Sequence, residues 1–379
     1  MARQMRGRDG FVFLDSVLPA TGSVSMVAAE PDRVLSGGPA DWPVLEKELA
    51  ARARPAGVLP GSEGAAVGWL AYDGTFCFGF YESPVVFAHA HPWTDPAACP
   101  AKGPMPDFRP LMTQDEFTRR VQAAMDYISA GDIYQVCLTY PFEAEFAGDP
   151  FPYYLNLRTV SPAPYAAFID LNGTRIASAS PELFLAMDGR TITTRPIKGT
   201  RPRHTDASAD RASSRELRAS PKESAELVMI TDLERNDLGR VCEFGSVSVT
   251  GLLEIESFAQ VHHLVSTVTG TLRPEVSHAS ALQSCSPGGS ISGAPKIRAM
   301  EIIRELEPHP RGIYTGAIGF FGFGGTSRFS IAIRTAIFEN GRAQFSVGAG
   351  IVADSNPVSE WLETGHKAAG LLAASEFRR

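Results

Sequence analysis

Two pairs of glutamates carry the first sign of chemistry. Glu223 and Glu226 stand three residues apart in SPKESAEL, and Glu360 and Glu363 stand three apart in VSEWLETGHK, a spacing that puts each pair on one helix face. If those helices meet, four carboxylates converge. Hard oxygen donors of this kind suit Mg²⁺, held by one or two carboxylates together with substrate and water. Taken singly, each pair also reads as solvated helix surface, with Glu223 completing a capping box begun by Ser220.

The segment RPIKGTRPR, residues 195 to 203, places Lys198 among Arg195, Arg201 and Arg203. A solvated basic turn is the plain reading. The other is a nucleophilic amine, which must be neutral to react; nearby cations and burial both disfavour the charged form, and Arg195 and Arg201 are the expected means here. Gly199 and Thr200 follow it directly. Three features nearer the C-terminus suggest an anion site. Arg334 falls in the alternating run FSIAIRTAIF, on the face opposite Phe329, Ile331 and Ile333. Gly348-Ala349-Gly350 offers backbone N–H groups with little side-chain obstruction. Lys367 follows Glu363 by four residues, on the same helical face.

His262 and His263 lie in the strand-like run QVHHLVSTVTG, where alternation points one of them inward, as a core residue or a catalytic one. Glu182 opens the hairpin ELFLAMDGRTITT, centred on Asp188-Gly189. A two-residue turn pairs Glu182 with Arg195 and puts Lys198 on the other face; a three-residue turn puts both on one face, and both arrangements stay open.

The elements that must position these groups are readable from patterning. The 379 residues are 44% hydrophobic and 20% charged, ordinary for a globular chain. A net charge of −7 lacks the footprint of a nucleic-acid or anionic-membrane binder. Cys77, Cys99, Cys137, Cys242 and Cys285 are scattered without ligand spacing, which suggests reduced thiols and a cytoplasmic home. MARQMRGRDGFVFLD does not read as a signal peptide, and GIYTGAIGFFGFGGTS is too short and glycine-rich to span a bilayer.

Strand-like runs such as VSMVAA and AAVGWLAY fill the first 90 residues, and the proline-rich stretch from Pro92 to Pro110 reads as a linker or cover loop. After it, Thr113 and Glu116 form a capping box for a helix ended by Gly131, and IYQVCLTYPFEAEF reads as a strand. The stretch from Pro202 to Ala219 suits a mobile loop. Helices are expected from Pro221 to about Leu238, after Pro295, and from Pro357 to the C-terminus, with a strand turn at Asn340-Gly341. Hairpin-linked strands outnumber helices, so the expected class is antiparallel α+β.

Taken together, PIKGTRPR, SAELVMITDLERNDLGRV, SCSPGGSISGAPKIRAMEIIRELEP, PRGIYTGAIGF and VGAGIVADSNPVSEWLETGHKA resemble, in order over residues 113 to 375, the chorismate-utilising enzymes. That family includes anthranilate, aminodeoxychorismate, isochorismate and salicylate synthases. The resemblance implies two face-packed antiparallel sheets flanked by helices, with residues 1–110 a shortened amino-terminal part and 111–379 the catalytic region of one compact unit. It implies Mg²⁺-bound chorismate, with Glu226 and Glu363 as direct metal ligands and Glu223 and Glu360 as water-linked neighbours. By position, Tyr314, Arg334, Gly348, Gly350 and Lys367, with Ala349 between the glycines, resemble the groups that hold the substrate carboxylates. His263 resembles the histidine beside the ring, and Glu182 the general acid.

Two positions separate the members. Water-using members carry a lysine base where this chain has Gln135, which implies ammonia as nucleophile. Anthranilate synthases usually read PIAGT, whereas PIKGT resembles aminodeoxychorismate synthase, with Lys198 forming a covalent intermediate. No glutaminase nucleophile is evident, so ammonia is expected from a glutamine amidotransferase subunit, and with no lyase domain expected, conversion to p-aminobenzoate would need another enzyme. The serine-rich SCSPGGSISGAPK departs from the usual FPAGT-like wording, and NPVS from a more acidic run, without removing an expected ligand. The shortened amino terminus gives no ground to expect a tryptophan pocket. Anthranilate synthase and a non-catalytic chorismate-binding regulatory subunit are the competing expectations.

Overall fold

The computed structural model describes residues 2–16, 24–89, 103–258 and 261–377. Cys99 and most of the proline-rich stretch, residues 92–102, lie outside them. Among the described residues two sheets of ten strands each dominate, and every pairing between their strands is antiparallel.

In the first sheet, Gln135–Glu145 pairs with Arg342–Ile351, and the order continues through Thr335–Glu339, Thr174–Ser180, Tyr165–Leu171, Val12–Asp15, Val24–Ala28 and Val85–Ala88. In the second, Ile197–Pro202 pairs with Val261–Thr271, followed by Thr191–Arg195, Leu183–Asp188, Thr326–Ile331, Ala317–Gly322, Ala65–Leu70, Phe76–Tyr81 and Arg33–Gly37. Strands from before the proline-rich stretch thus pair with later strands in both sheets.

Period-two alternation explains the layering. On Tyr165–Leu171, Ala167, Ile169 and Leu171 join a core that also holds Val67, Ile318 and Phe320 of the opposing sheet, while Phe168 points into the core beneath the helices. On Ala317–Gly322, Ala317 and Phe321 likewise face outward, into a third core with Phe78 and Leu282. The structure is therefore the expected α+β sandwich of two antiparallel sheets with helices outside.

Local signals placed most helices. Thr113 Oγ1 accepts the Glu116 N–H at 3.3 Å and Glu116 Oε2 accepts the Thr113 N–H at 2.8 Å, capping Gln114–Ser129. Ser220 caps Pro221–Gly239, and Asn356 caps Pro357–Glu376 with Pro357 in the first turn. The supposed mobile loop is largely a helix, Ala207–Ala219. Asp206 accepts the N–H groups of Ser208 and Ala209 at 3.1 and 2.8 Å, and Ser213 and Leu217, four apart, bury one face. The many charges there solvate its other face.

Candidate active site between the sheets

Gln135, Gly348 and Gly350 meet the second sheet because of the same alternation. Val136, Leu138, Val347, Ala349 and Ile351 lie in the core under the helices, which turns their strand neighbours the other way. A Cβ built on Gly350 would stand 2.6 Å from Gln135 Nε2 and 3.9 Å from Lys198 Nζ, so the three positions converge across the inter-sheet space. Gln135 is 1% exposed and its Oε1 has no hydrogen-bond partner among the described residues, an acceptor buried and free to take a donor. Ala349, expected with the glycines, sends its side chain into the core behind the sheet and has only backbone to offer.

Lys198 reaches this space through a register shift between Lys198 and Thr200 where Ile197–Pro202 pairs with Val261–Thr271. Gly199, at φ +69, makes that irregularity possible, and its missing Cβ leaves room for the Glu223 carboxylate, whose Oε2 would be 2.9 Å away. The arginines expected to crowd Lys198 have other partners: Arg195 pairs with Glu256, and Arg201 with Glu216 at 2.9 Å and Glu223 at 3.6 Å. The charged groups that feel Lys198 are instead Glu182, Glu226 and Glu363.

The hairpin before Lys198 turns at Gly189-Arg190, one residue later than expected, and a bulge between Leu183 and Ala186 pairs Leu183 with Arg195. These shifts bring Glu182 within electrostatic reach of Lys198. Burial pushes the Glu182 carboxyl above its ordinary range, opposed by hydrogen bonds from the Ser290 hydroxyl and the Ile197 backbone and by the charge of Lys198. His263 is pushed down to about 4 by burial, and its Nδ1 lies 3.0 Å from Thr200 Oγ1. Both histidines are buried, not one: His262 bonds to Ser257 at 2.7 Å and Asp210 at 3.0 Å.

The two glutamate helices do meet. Lys222 Nζ lies 3.9 Å from both Glu226 and Glu360, bridging Pro221–Gly239 and Pro357–Glu376. Burial raises Glu226, and Glu223 and Glu363 raise it further; burial also raises Glu360. Burial acts the same way on Glu363, but the Lys367 ammonium 2.7 Å away overrides it and holds that carboxyl below its ordinary value. Among the described residues no three His, Cys, Asp or Glu side chains form a ready metal cage. Clustered, partly desolvated carboxylates without sulfur or nitrogen donors nevertheless fit Mg²⁺, which takes one or two carboxylates and completes its shell from substrate and water.

Arg334 is not on a strand face. Thr326–Ile331 belongs to the second sheet and Thr335–Glu339 to the first, and Arg334, at φ 50, lies in the crossing between them. It has no ion-pair partner among the described residues, and burial lowers its pKa while the nearby Tyr314 opposes that shift. Tyr314 is buried and its hydroxyl pushed well up by desolvation. Lys367 Nζ donates to the Gly348 carbonyl at 2.9 Å, joining the last helix to the glycine strand. An amine, a buried acid, a neutral imidazole, an unpaired guanidinium and a carboxylate cluster thus surround one inter-sheet space.

Three further residues escaped the sequence reading. Ser290 bonds to Glu182, Glu234 is buried on the far side of the same turn, and Arg311 anchors that turn and the Gln135 strand. The only sequence signals were Gly288-Gly289 before Ser290 and the four-residue spacing of Glu307 and Arg311.

Comparison with known proteins gives one answer about family. Residues 88–373 match the model of the chorismate binding enzyme family. The chain is 47% identical over 279 residues to anthranilate synthase component 1 of Streptomyces coelicolor, covering 73% of this chain and 55% of that protein. It is 46% identical over 261 residues to an aminodeoxychorismate synthase of Streptomyces griseus, covering 68% and 36%. The crystal structure of anthranilate synthase component I from Streptococcus pneumoniae superposes with a TM-score of 0.81 at 32% identity, over 93% of both chains. The matched stretch spans about half the length of the Streptomyces coelicolor relative.

Proposed function

The chain belongs to the chorismate binding enzyme family, and on that premise we propose that it aminates chorismate at C4 as the chorismate-binding component of an aminodeoxychorismate synthase. The observation that carries this reading is the placement of the Lys198 amine beside Gln135 and Gly350, across from the carboxylate helices. Arg334, Tyr314 and the Gly348–Gly350 backbone grip the substrate carboxylates. Glu226 and Glu363 would hold Mg²⁺ with Glu223 and Glu360 behind them; when bound, that ion neutralises carboxylate charge.

The chemistry is two linked displacements. Lys198 Nζ, as the free amine, attacks C2, the two conjugated ring double bonds both shift toward C4, and the C4–O bond breaks. Glu182 gives its proton to the departing hydroxyl, which leaves as water. Ammonia then adds at C4, the two double bonds shift back, the C2–N bond breaks to free the Lys198 amine, and the new C4 ammonium returns one proton to Glu182. The net change is chorismate plus ammonia to 4-amino-4-deoxychorismate plus water. Burial favours the protonated form of Glu182, the form a general acid needs. His263, held neutral, can donate or accept a hydrogen bond at the ring without adding charge. Gln135 offers an amide where a lysine base would activate water. Ammonia would come from a glutamine amidotransferase subunit, in the cytoplasm. No helix among the described residues is long and apolar enough to cross a membrane, and the four described cysteines are free thiols.

The names of the relatives favour a second reading, anthranilate synthase, since that name recurs among the similar proteins. Incubation with chorismate, Mg²⁺ and ammonium separates the two. Aminodeoxychorismate without pyruvate is the expected product; stoichiometric pyruvate with anthranilate would overturn the proposal. Mg²⁺-dependent chorismate binding without turnover, even with an amidotransferase supplied, would instead identify a regulatory subunit.

A further inference from the structure

The turn at residues 287–291 is held at three points by charged side chains with little or no exposure. Lys296 Nζ donates to the Pro287 carbonyl at 2.7 Å and pairs with Asp237. Glu234, 2% exposed, accepts the Gly289 N–H on Oε1 at 3.0 Å. Arg311 donates to the Ile291 carbonyl at 2.8 Å and commits its remaining donors to Glu307, the Cys137 carbonyl and Thr315. Gly289 is suited to this approach, since a Cβ there would meet Leu233 Cδ2 at 2.8 Å and Glu234 Oε1 at 3.1 Å. Between the second and third anchors stands Ser290, whose hydroxyl bonds to the Glu182 carboxyl.

Burying a carboxyl and a guanidinium is costly unless their partners are well placed. Here the partners are the backbone groups on either side of one hydroxyl. We propose that Glu234 is a positioning residue that, by fixing Gly289, holds the Ser290 hydroxyl on Glu182, with Arg311 securing the other end of the turn. This rests on the reading of Glu182 as the general acid. Glu234 also accepts the Thr194 hydroxyl on Oε2 at 3.4 Å and lies within electrostatic reach of Glu182, but the turn is its hydrogen-bonded route to Ser290. Burial, and then the neighbouring Asp237, favour its neutral form, which can still accept the Gly289 N–H.

The test uses the full chain and two readouts. The first needs no turnover: the carbonyl stretch of Glu182, assigned by its loss in Glu182→Gln, is followed by infrared difference spectroscopy. Ser290→Ala and Glu234→Met should both move that band to higher frequency, as expected for a lost hydrogen bond, while Glu234→Gln, which keeps a carbonyl acceptor, leaves it in place. The second readout is kinetic. Glu234→Met and Ser290→Ala should each lower kcat about tenfold, Glu234→Gln should recover most of that, and Glu234→Met should add nothing in the Ser290→Ala background.

The high-pH limb governed by Glu182 should move to higher pH in Ser290→Ala, because the hydroxyl favours the carboxylate; Lys198, Lys367, Glu234 and the Ile197 N–H still face it. An unmoved band in Glu234→Met, or losses that multiply with Ser290→Ala, would overturn the proposal. If Glu234→Met does not fold, an unmoved band and limb in Ser290→Ala do so. A chain that never consumes chorismate retires the amination reading, and the infrared result still decides the positioning role.

Discussion

Replacing Gly350 by alanine puts one methyl at the point where the two sheets bring their functional groups together. Its backbone tolerates the change, having no left-handed φ, so the effect is contact alone. The new Cβ would lie 2.6 Å from Gln135 Nε2 and 3.9 Å from Lys198 Nζ. Ordinary contact needs roughly 3.4 Å, so something must yield by about 0.8 Å. Gln135 is fully enclosed and cannot swing into water. Overpacking of this size costs about 1–3 kcal/mol, and displacing a reacting group by nearly an ångström costs about a hundredfold in rate. Steady-state kinetics with chorismate, Mg²⁺ and ammonium, beside a thermal melt, should show a kcat/KM loss near a hundredfold with a melting point only a few degrees lower. Adding Gln135→Ser should restore the melting point without restoring the rate. A kcat/KM within twofold of the parent would refute the placement of the substrate against Gly350.

Arg334→Met removes a half-buried cation without an ion-pair partner among the described residues, so KM for chorismate should rise by one to two decades while the melting point holds or rises; a lowered melting point with unchanged KM contradicts the carboxylate-grip role. Gly199→Ala strains a position at φ +69 and drives a methyl toward Leu217 and Glu223. It should destabilise the chain by at least about 1 kcal/mol in urea titrations, and equal midpoints would show that the turn relaxes. His263 titrates near 6.5 when unfolded but is held at about 4 when folded, so below the unfolded value the unfolded chain binds the extra proton. Its contribution is complete above pH 6.5 and about 3 kcal/mol is lost as pH falls through 4. His263→Gln should show a correspondingly flatter loss of stability over that window, and parallel curves would refute the burial argument.

Caps and alternation were the legible part of the fold. Thr113 with Glu116, and Ser220 with Pro221, marked helix starts through local hydrogen bonds that sequence spacing reports directly. The pairing of the two glutamate helices came from family resemblance, because nothing local says that residues 223 and 360 are neighbours. Irregularities were hidden. The bulges beside Leu183 and Lys198 decide which face Glu182 and Lys198 share, and a bulge shifts register by one residue with no fixed sequence mark. Arg334 looked like a strand residue because FSIAIRTAIF alternates across a crossing between sheets. The Ala207–Ala219 helix was obscured by its charges, although Ser213 and Leu217 supply a narrow buried stripe. Glu234 could not be singled out, since it caps a backbone N–H in a distant turn, and Arg311 showed only its four-residue spacing from Glu307 while its bond to that turn stayed hidden.

The proposed bond between Lys198 and the substrate ring is open to intact-mass spectrometry. The chain is mixed with chorismate and Mg²⁺ in the absence of ammonia, quenched, weighed and mapped by peptide digestion. The expected adduct adds mass equal to chorismate less one water, sits on Lys198, is absent in Lys198→Ala and is discharged by ammonium as aminodeoxychorismate. Turnover in Lys198→Ala at the parent rate, or aminodeoxychorismate formed with no adduct under any quench, would contradict it.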